Sequence, residues 1–232
     1  MKTVICIPAY NPDDKLLIFL EELTKNGFNN IVIVNDGSKA ECAYIFDEAI
    51  NKYHCDVVCH ETNKGYGKAI KSAGEYFIDH YMNNKDISGI IHCDCDGQHS
   101  LKDIINFSNI LDSGKDCLIF GQRDFNKDNI PFKSRFGNNL TAFIFKKMIG
   151  IDLKDSQCGL RAISKNYVKF SCEIDGDGFE YPSSIIIEAY KNNLNIIQVP
   201  IETIYINNNE STHFDPIKDS YRIYRLLFKS LF

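Results

Sequence analysis

Short apolar runs alternate along this chain with longer stretches whose apolar residues recur at helical spacing, and that alternation limits its possible folds more than any other feature. Thr3 to Pro8, Asn30 to Asn35, Asp56 to Cys59, Gly89 to Cys93 and Cys117 to Phe120 have strand length and little polar content. Nearly continuous apolar runs of this kind belong to strands covered on both faces. Between them, Leu16, Leu17, Leu20 and Leu23 share one helical face, as do Cys42, Ile45, Phe46, Ala49, Ile50 and Tyr53, and then Ile70, Ala73, Phe77 and Tyr81. Asn11 with Pro12, Ser38 with Glu41, and Ser100 with Asp103 predict three helix starts. Strands and helices in this order predict an α/β fold with a mainly parallel sheet and helices on both faces.

Ligands of such sheets bind at the carboxyl ends of the strands. The polar clusters Pro8 to Asn11, Asp36 to Ser38, Asn63 to Lys68 and Asp94 to Gln98 all fall there. The last is the most specific, because the apolar run Gly89 to Cys93 ends in Asp94-Cys95-Asp96-Gly97-Gln98-His99. In an extended segment, residues two apart point to the same side, so Asp94 and Asp96 can converge on one cation. Two carboxylates with few other ligands suit Mg2+ or Mn2+, which keep sites open for water and phosphate. His92, Cys93, Cys95 and His99 offer a rival zinc reading, but Cys-x-Cys is tighter than the usual spacing of zinc thiolates. Alternation would instead turn Cys93 and Cys95 into the core. The plain alternative for Asp94 and Asp96 is an ordinary surface turn, and for Gly65 to Lys68 a helix-initiating turn.

Gln122 to Arg135 reads as a polar loop, Phe136 to Ile149 and Tyr181 to Asn192 as helices, and Ile196 to Pro200 as a strand. A last helix, with Asp215 as cap and Pro216 at its start, carries Lys218, Arg222, Arg225 and Lys229 as a basic stripe beside an apolar one. Such a helix docks by its apolar face or rests on an anionic membrane surface. The formal charge of -5 disfavours broad nucleic-acid binding. No signal-peptide pattern follows Met1, and no apolar run approaches the ~20 residues of a membrane span. A cytoplasmic protein with reduced thiols, peripheral at the inner face of the membrane, is the expectation.

Pro8-Ala9-Tyr10-Asn11, Val34-Asn35-Asp36-Gly37-Ser38, Asn63-Lys64-Gly65-Tyr66-Gly67-Lys68-Ala69 and Asp94-Cys95-Asp96-Gly97-Gln98-His99 stand in the order found in family 2 glycosyltransferases. The chain most closely resembles the dolichyl-phosphate mannosyltransferase and polyprenyl-phosphate glycosyltransferase branch, over roughly residues 3 to 215. The resemblance implies a single GT-A domain, with a nucleotide-sugar half over 1–121, an acceptor half over 122–214 and the basic helix over 215–232. It implies Pro8 and Tyr10 at the nucleobase, Asp36 accepting hydrogen bonds from it, Asp94 near ribose and metal, Asp96 as main metal ligand with Gln98 assisting, and Arg123 on phosphate. Ser134, Arg135 and Asn138 would hold the acceptor phosphate, and Asp155, Arg161 and Glu180 would face the reacting groups. Pro12 replaces an acidic residue common in the family, and the usual carboxyl-terminal basic residue is missing from Asn209 to Phe214, where His213 is the substitute.

Breaking the anomeric C–O bond of a nucleotide diphosphate sugar builds charge on the leaving diphosphate. A divalent ion on Asp96, with Arg123, Lys68 or His213, would stabilise that charge. The expected activity is metal-dependent, inverting transfer of a hexose from a UDP- or GDP-sugar to a polyprenyl phosphate. A saccharide or glycolipid hydroxyl is the alternative acceptor, and it would need Asp155 as a true general base. A nucleotide-sugar-binding protein without turnover is the reading from another class.

Overall fold

The computed structural model describes residues 1–124, 141–202, 221–223 and 225. The first half contains β1 (Thr3–Ala9), α1 (Lys15–Lys25), β2 (Ile31–Asn35), α2 (Ala43–Tyr53), β3 (Asp56–Cys59), α3 (Tyr66–His80), β4 (Gly89–His92), α4 (Leu101–Asp112) and β5 (Leu118–Gln122). After a π-helical turn at Phe145–Ile149 come β6 (Arg161–Ser164), α5 (Val168–Cys172), α6 (Tyr181–Lys191) and β7 (Ile196–Pro200). The strands form one seven-stranded sheet in the order β3-β2-β1-β4-β6-β5-β7.

Strand alternation divides the core in two. Ile5, Ile7, Ile33 and Ile91 face α1, α2 and α4, while Val4, Cys6, Val32 and Ile90 face α3, α5 and α6. Both layers bury large rings completely, Phe28 and Phe107 on the first and Phe77 and Phe120 on the second. Each such ring contributes about 1.5–3 kcal/mol of burial free energy. Ile223 joins the second layer, so the described part of the last helix docks by an apolar side chain.

The sheet departs from the sequence expectation in one strand that matters. β6 runs antiparallel to both β4 and β5, and every other pair is parallel. Its four residues, Arg161-Ala162-Ile163-Ser164, are too short and too polar at the ends to announce a strand. Antiparallel pairing sets Arg161 opposite His92 of β4 and Phe120 of β5. The amino end of β6 therefore lies beside the carboxyl ends of its neighbours, and the turn leading into it arrives at the same edge.

Two helix starts also differ. Asn11 does not cap α1; it takes φ 50° and ties two loops together, its N–H donating to Ser38 Oγ at 2.9 Å and its Oδ1 accepting from Lys39 N at 2.9 Å. Asp13 Oδ1 instead accepts from Lys15 N at 3.0 Å. Ser38 is spent on that loop contact, so the Ser38–Glu41 capping box does not form. Ile50, expected on the buried face of α2, is 46% exposed. Ser100 does cap α4 as anticipated, accepting from Asp103 N at 3.2 Å. The strand after it begins at Leu118 and includes Gly121, one residue later than its apolar run begins in the sequence.

Candidate active site

Strand order reverses between β1, which leads on to β2 and β3, and β4 on its other side. That switch opens a crevice at the carboxyl ends, and the acidic motif leaves β4 there. Cys93 is fully buried, as alternation required, but Cys95 and Asp96 form a turn instead of continuing the extended run. Gly97 at φ 77° and Gln98 N, donating to Asp96 Oδ1 at 3.0 Å, close that turn. Burial lifts the Cys93 thiol well above its ordinary range, and pushes Cys95 up to about 12.

The two carboxylates differ. Burial alone would raise the Asp94 carboxyl, but a hydrogen bond from His99 and the nearby charges of Arg123 and Arg161 hold it below the ordinary range. His99 Nε2 donates to Asp94 Oδ2 at 3.1 Å. Asp96 is raised, by burial first and then by the charge on Asp94. Gly159, in the turn before β6, packs so closely on Asp94 that a Cβ there would lie 1.9 Å from Oδ2.

Arg123 leaves β5 and meets Asp155, whose side chain is 0% exposed. Nε donates to Oδ2 at 2.7 Å and Nη2 to Oδ1 at 3.1 Å. Arg123 N adds a bond to Oδ2 at 3.3 Å, and Gln157 N one to Oδ1 at 3.0 Å. The carboxylate expected beside the nucleophile thus lies under Arg123, all of its roughly four acceptor positions taken. Each guanidinium nitrogen of Arg161 is also engaged: Nε, Nη1 and Nη2 donate to the carbonyls of Cys158, Pro182 and Ser156 at 2.8, 2.7 and 2.8 Å. Its guanidinium lies over the Phe120 ring. Arg161 therefore shapes the turn that carries Asp155 and Gly159.

Pro8 and Tyr10 sit half-buried at the end of β1. Asp36 is buried, and accepts from Lys64 N at 2.8 Å, from Gly65 N at 2.9 Å and from His60 Nδ1 at 2.6 Å. Lys68 turns along α3 to Glu75, 3.1 Å away. Glu180 folds back on its own loop, Oε1 accepting from Asp177 N at 3.2 Å and Gly178 N at 3.1 Å. Its Oε2 is buried without a partner among the described residues. Ser134, Arg135, Asn138 and His213 lie outside the described residues.

The sequence assigns no role to His60 or Tyr66, and places His99 only in the rival zinc reading. Tyr66 opens α3, stacks on Phe179 with ring centroids 5.5 Å apart, and lines a small cavity with His92, Arg161 and Tyr181. Burial and the charge on Asp94 push its hydroxyl upward. Tyr66 and His99 stood inside the quoted motifs; the stacking partner of Tyr66, Phe179, comes from a distant element, whereas His99 bonds to Asp94 of its own motif.

Among the described residues no three His, Cys, Asp or Glu side chains converge as a metal cage. The sequence profile described as Glycosyl transferase family 2 matches residues 4–170. The UDP-N-acetylglucosamine–dolichyl-phosphate N-acetylglucosaminyltransferase of Methanococcus voltae is 32% identical, over 87% of this chain and 85% of its own. The polyprenol monophosphomannose synthase of Mycolicibacterium smegmatis is 23% identical, over 86% of this chain and 76% of its own. In structure, the chain is similar to glucosyl-3-phosphoglycerate synthase from Mycobacterium tuberculosis, solved with Mn2+, UDP and glucosyl-3-phosphoglycerate. The TM-score is 0.71 at 13% identity, covering 99% of this chain and 80% of that one. With its GT-A sheet, its strand-end crevice and the matched profile, the chain belongs to glycosyl transferase family 2 and is a glycosyltransferase.

Proposed function

We propose that the chain transfers a hexose, with inversion, from a nucleotide diphosphate sugar to an acceptor that arrives already ionised, the phosphate of a polyprenyl phosphate. The observation that carries the acceptor class is the saturation of Asp155. Its two oxygens receive four donors and its side chain is 0% exposed, so it cannot draw a proton from an incoming hydroxyl. Glu180 gives one oxygen to two backbone N–H groups and buries the other. A hydroxyl acceptor needs a general base, whereas a phosphate oxygen is already ionised near neutral pH. Relatives named for dolichyl phosphate and polyprenol monophosphomannose support the same class.

Asp94, Asp96 and Gln98 would hold Mn2+ or Mg2+. The fit rests on their chemistry: two carboxylates and an amide oxygen are a hard-oxygen set, and the Asp96 carboxyl is raised by burial and by Asp94, a repulsion that a cation would relieve. When bound, such an ion supplies Lewis-acid stabilisation of the departing diphosphate. Arg123, aimed by Asp155 and close enough to depress the Asp94 carboxyl, adds fixed positive charge to the same place. Tyr10 and Pro8 would border the nucleobase, and Lys68 the donor turn. Ser134, Arg135, Asn138 and His213 would complete the acceptor and diphosphate sites.

No helix among the described residues is long and apolar enough to cross a membrane. We place the enzyme at the cytoplasmic surface of the membrane, with exposed Arg222 and Arg225 of the basic stripe toward anionic lipid. The deciding assay supplies UDP- or GDP-hexoses with dolichyl phosphate, dolichol or a free saccharide. Transfer to the phosphate alone is expected, and equal transfer to either hydroxyl acceptor would overturn the reading. EDTA and Asp96→Asn should each lower the rate by about 10³-fold or more, and full activity in EDTA would remove the metal assignment.

A further inference from the structure

His60 is a buried titratable side chain with no part in the chemistry above, and both its ring nitrogens are engaged. The side chains of His60 and Asp36 are each 5% exposed. Nδ1 donates to Asp36 Oδ1 at 2.6 Å, and Nε2 accepts from Ser72 Oγ at 2.9 Å. A Ser-His-Asp row of this kind can activate a nucleophile, but only where the hydroxyl can reach a substrate. Ser72 lies within α3, buried, with its hydroxyl on the imidazole. The row has another output, the donors on Asp36.

Those donors are the backbone N–H groups of Lys64 and Gly65, at 2.8 and 2.9 Å. The turn is confined from two further sides. A Cβ on Gly37, which has φ 70°, would lie 2.4 Å from the Thr62 carbonyl carbon, and one on Gly65, with φ 97°, would lie 2.5 Å from Asp177 O. Asp177 O also accepts from Lys68 N at 3.1 Å. The turn thus has little room to shift, and the next residue, Tyr66, lines the cavity shared with His92 and Arg161.

We propose that His60 is the positioning residue of the donor turn. It compensates the buried Asp36 carboxylate and aims it, so that Asp36 pins Lys64 and Gly65 and sets Asn63 to Lys68 for the nucleotide diphosphate. Asp36 then acts through the turn with three acceptor positions filled, which leaves one of roughly four for the base. The inference rests on the nucleotide-sugar reading above.

The test compares His60→Leu, which removes both hydrogen bonds, with His60→Asn, whose amide N–H stands where Nδ1 donates. Binding of UDP and GDP is measured by calorimetry, beside kcat, KM and the thermal midpoint. His60→Leu is expected to raise donor Kd and KM about tenfold while kcat stays within about twofold. His60→Asn should recover most of the binding while its midpoint stays low, since the Ser72 bond is lost. If His60→Leu does not fold, His60→Gln serves, its amide displaced by one methylene, and its KM should exceed that of His60→Asn. Wild-type nucleotide affinity in His60→Leu, equal KM in the Asn and Gln variants, or losses that follow only the thermal midpoint would each overturn the inference. A wild-type protein that binds neither nucleotide overturns the functional reading and this one with it, whereas binding that His60 does not influence overturns this one alone.

Discussion

Arg123→Ala is expected to destabilise the protein by about 3–5 kcal/mol, because it leaves the buried Asp155 carboxylate without its cation. Transfer should fall by about a hundredfold or more if Arg123 stands beside the leaving group as proposed, since that fixed positive charge is then lost. The reciprocal change differs in kind. Asp155→Asn keeps the shape but turns one accepting oxygen into an NH2 donor that faces the N–H groups of Arg123 or Gln157, so it should lower kcat while leaving the shape of the pH–rate curve intact. A general base would give the opposite signature, with an acidic limb present in the wild type and absent from the variant. A double-mutant cycle in the Asp155→Ala background isolates the pair: Arg123→Ala should then cost far less stability, because no buried charge remains to be stranded. Additive stability losses would show that the pair does not act as a unit.

Gly159→Ala is expected to cost about 10²-fold in transfer, the scale on which a misplacement of ~1 Å acts. The added methyl would lie 1.9 Å from Asp94 Oδ2 and 2.4 Å from its Cγ. Asp94 cannot give way without loosening its 3.1 Å bond to His99 and its alignment with Asp96. Overpacking of this kind also costs about 1–3 kcal/mol of stability. A Mn2+ titration read against activity separates the two effects: a displaced Asp94 raises the half-saturating Mn2+ concentration, whereas a loosened fold lowers the thermal midpoint and leaves that concentration unchanged. Wild-type metal dependence in Gly159→Ala would mean that Asp94 does not work from the position it holds here.

The parts of the site differ in how far they could be read in advance. The apolar runs of β1, β2 and β4 predicted a covered, mainly parallel sheet, and their ends located Asp36 and Asp94 at the carboxyl ends of its strands. Asp155 and Arg123 were visible as isolated residues, but not as a pair. They are 32 positions apart, and only the reversal at β6 brings the turn before Arg161 back to the carboxyl ends of β4 and β5. Four residues with a charge at one end carry no periodic signal, so the strand that decides the neighbourhood of Asp155 is the one least legible locally. Asn11 and Ser38 failed as caps for a similar reason, since each found a stronger partner in the other's loop.

By itself, then, the sequence determined the class of fold and the family, because apolar periodicity and short motifs are local and survive without tertiary contacts. The tertiary structure decided which polar groups remain available for chemistry. Asp155 spends its acceptors on Arg123 and Gln157, Arg161 spends its donors on three carbonyls, and Asp36 spends most of its own on His60 and the Lys64–Gly65 turn. The spacing of residues along the chain shows where a hydrogen-bonding group stands, but whether that group is already satisfied depends on partners that folding brings from far away.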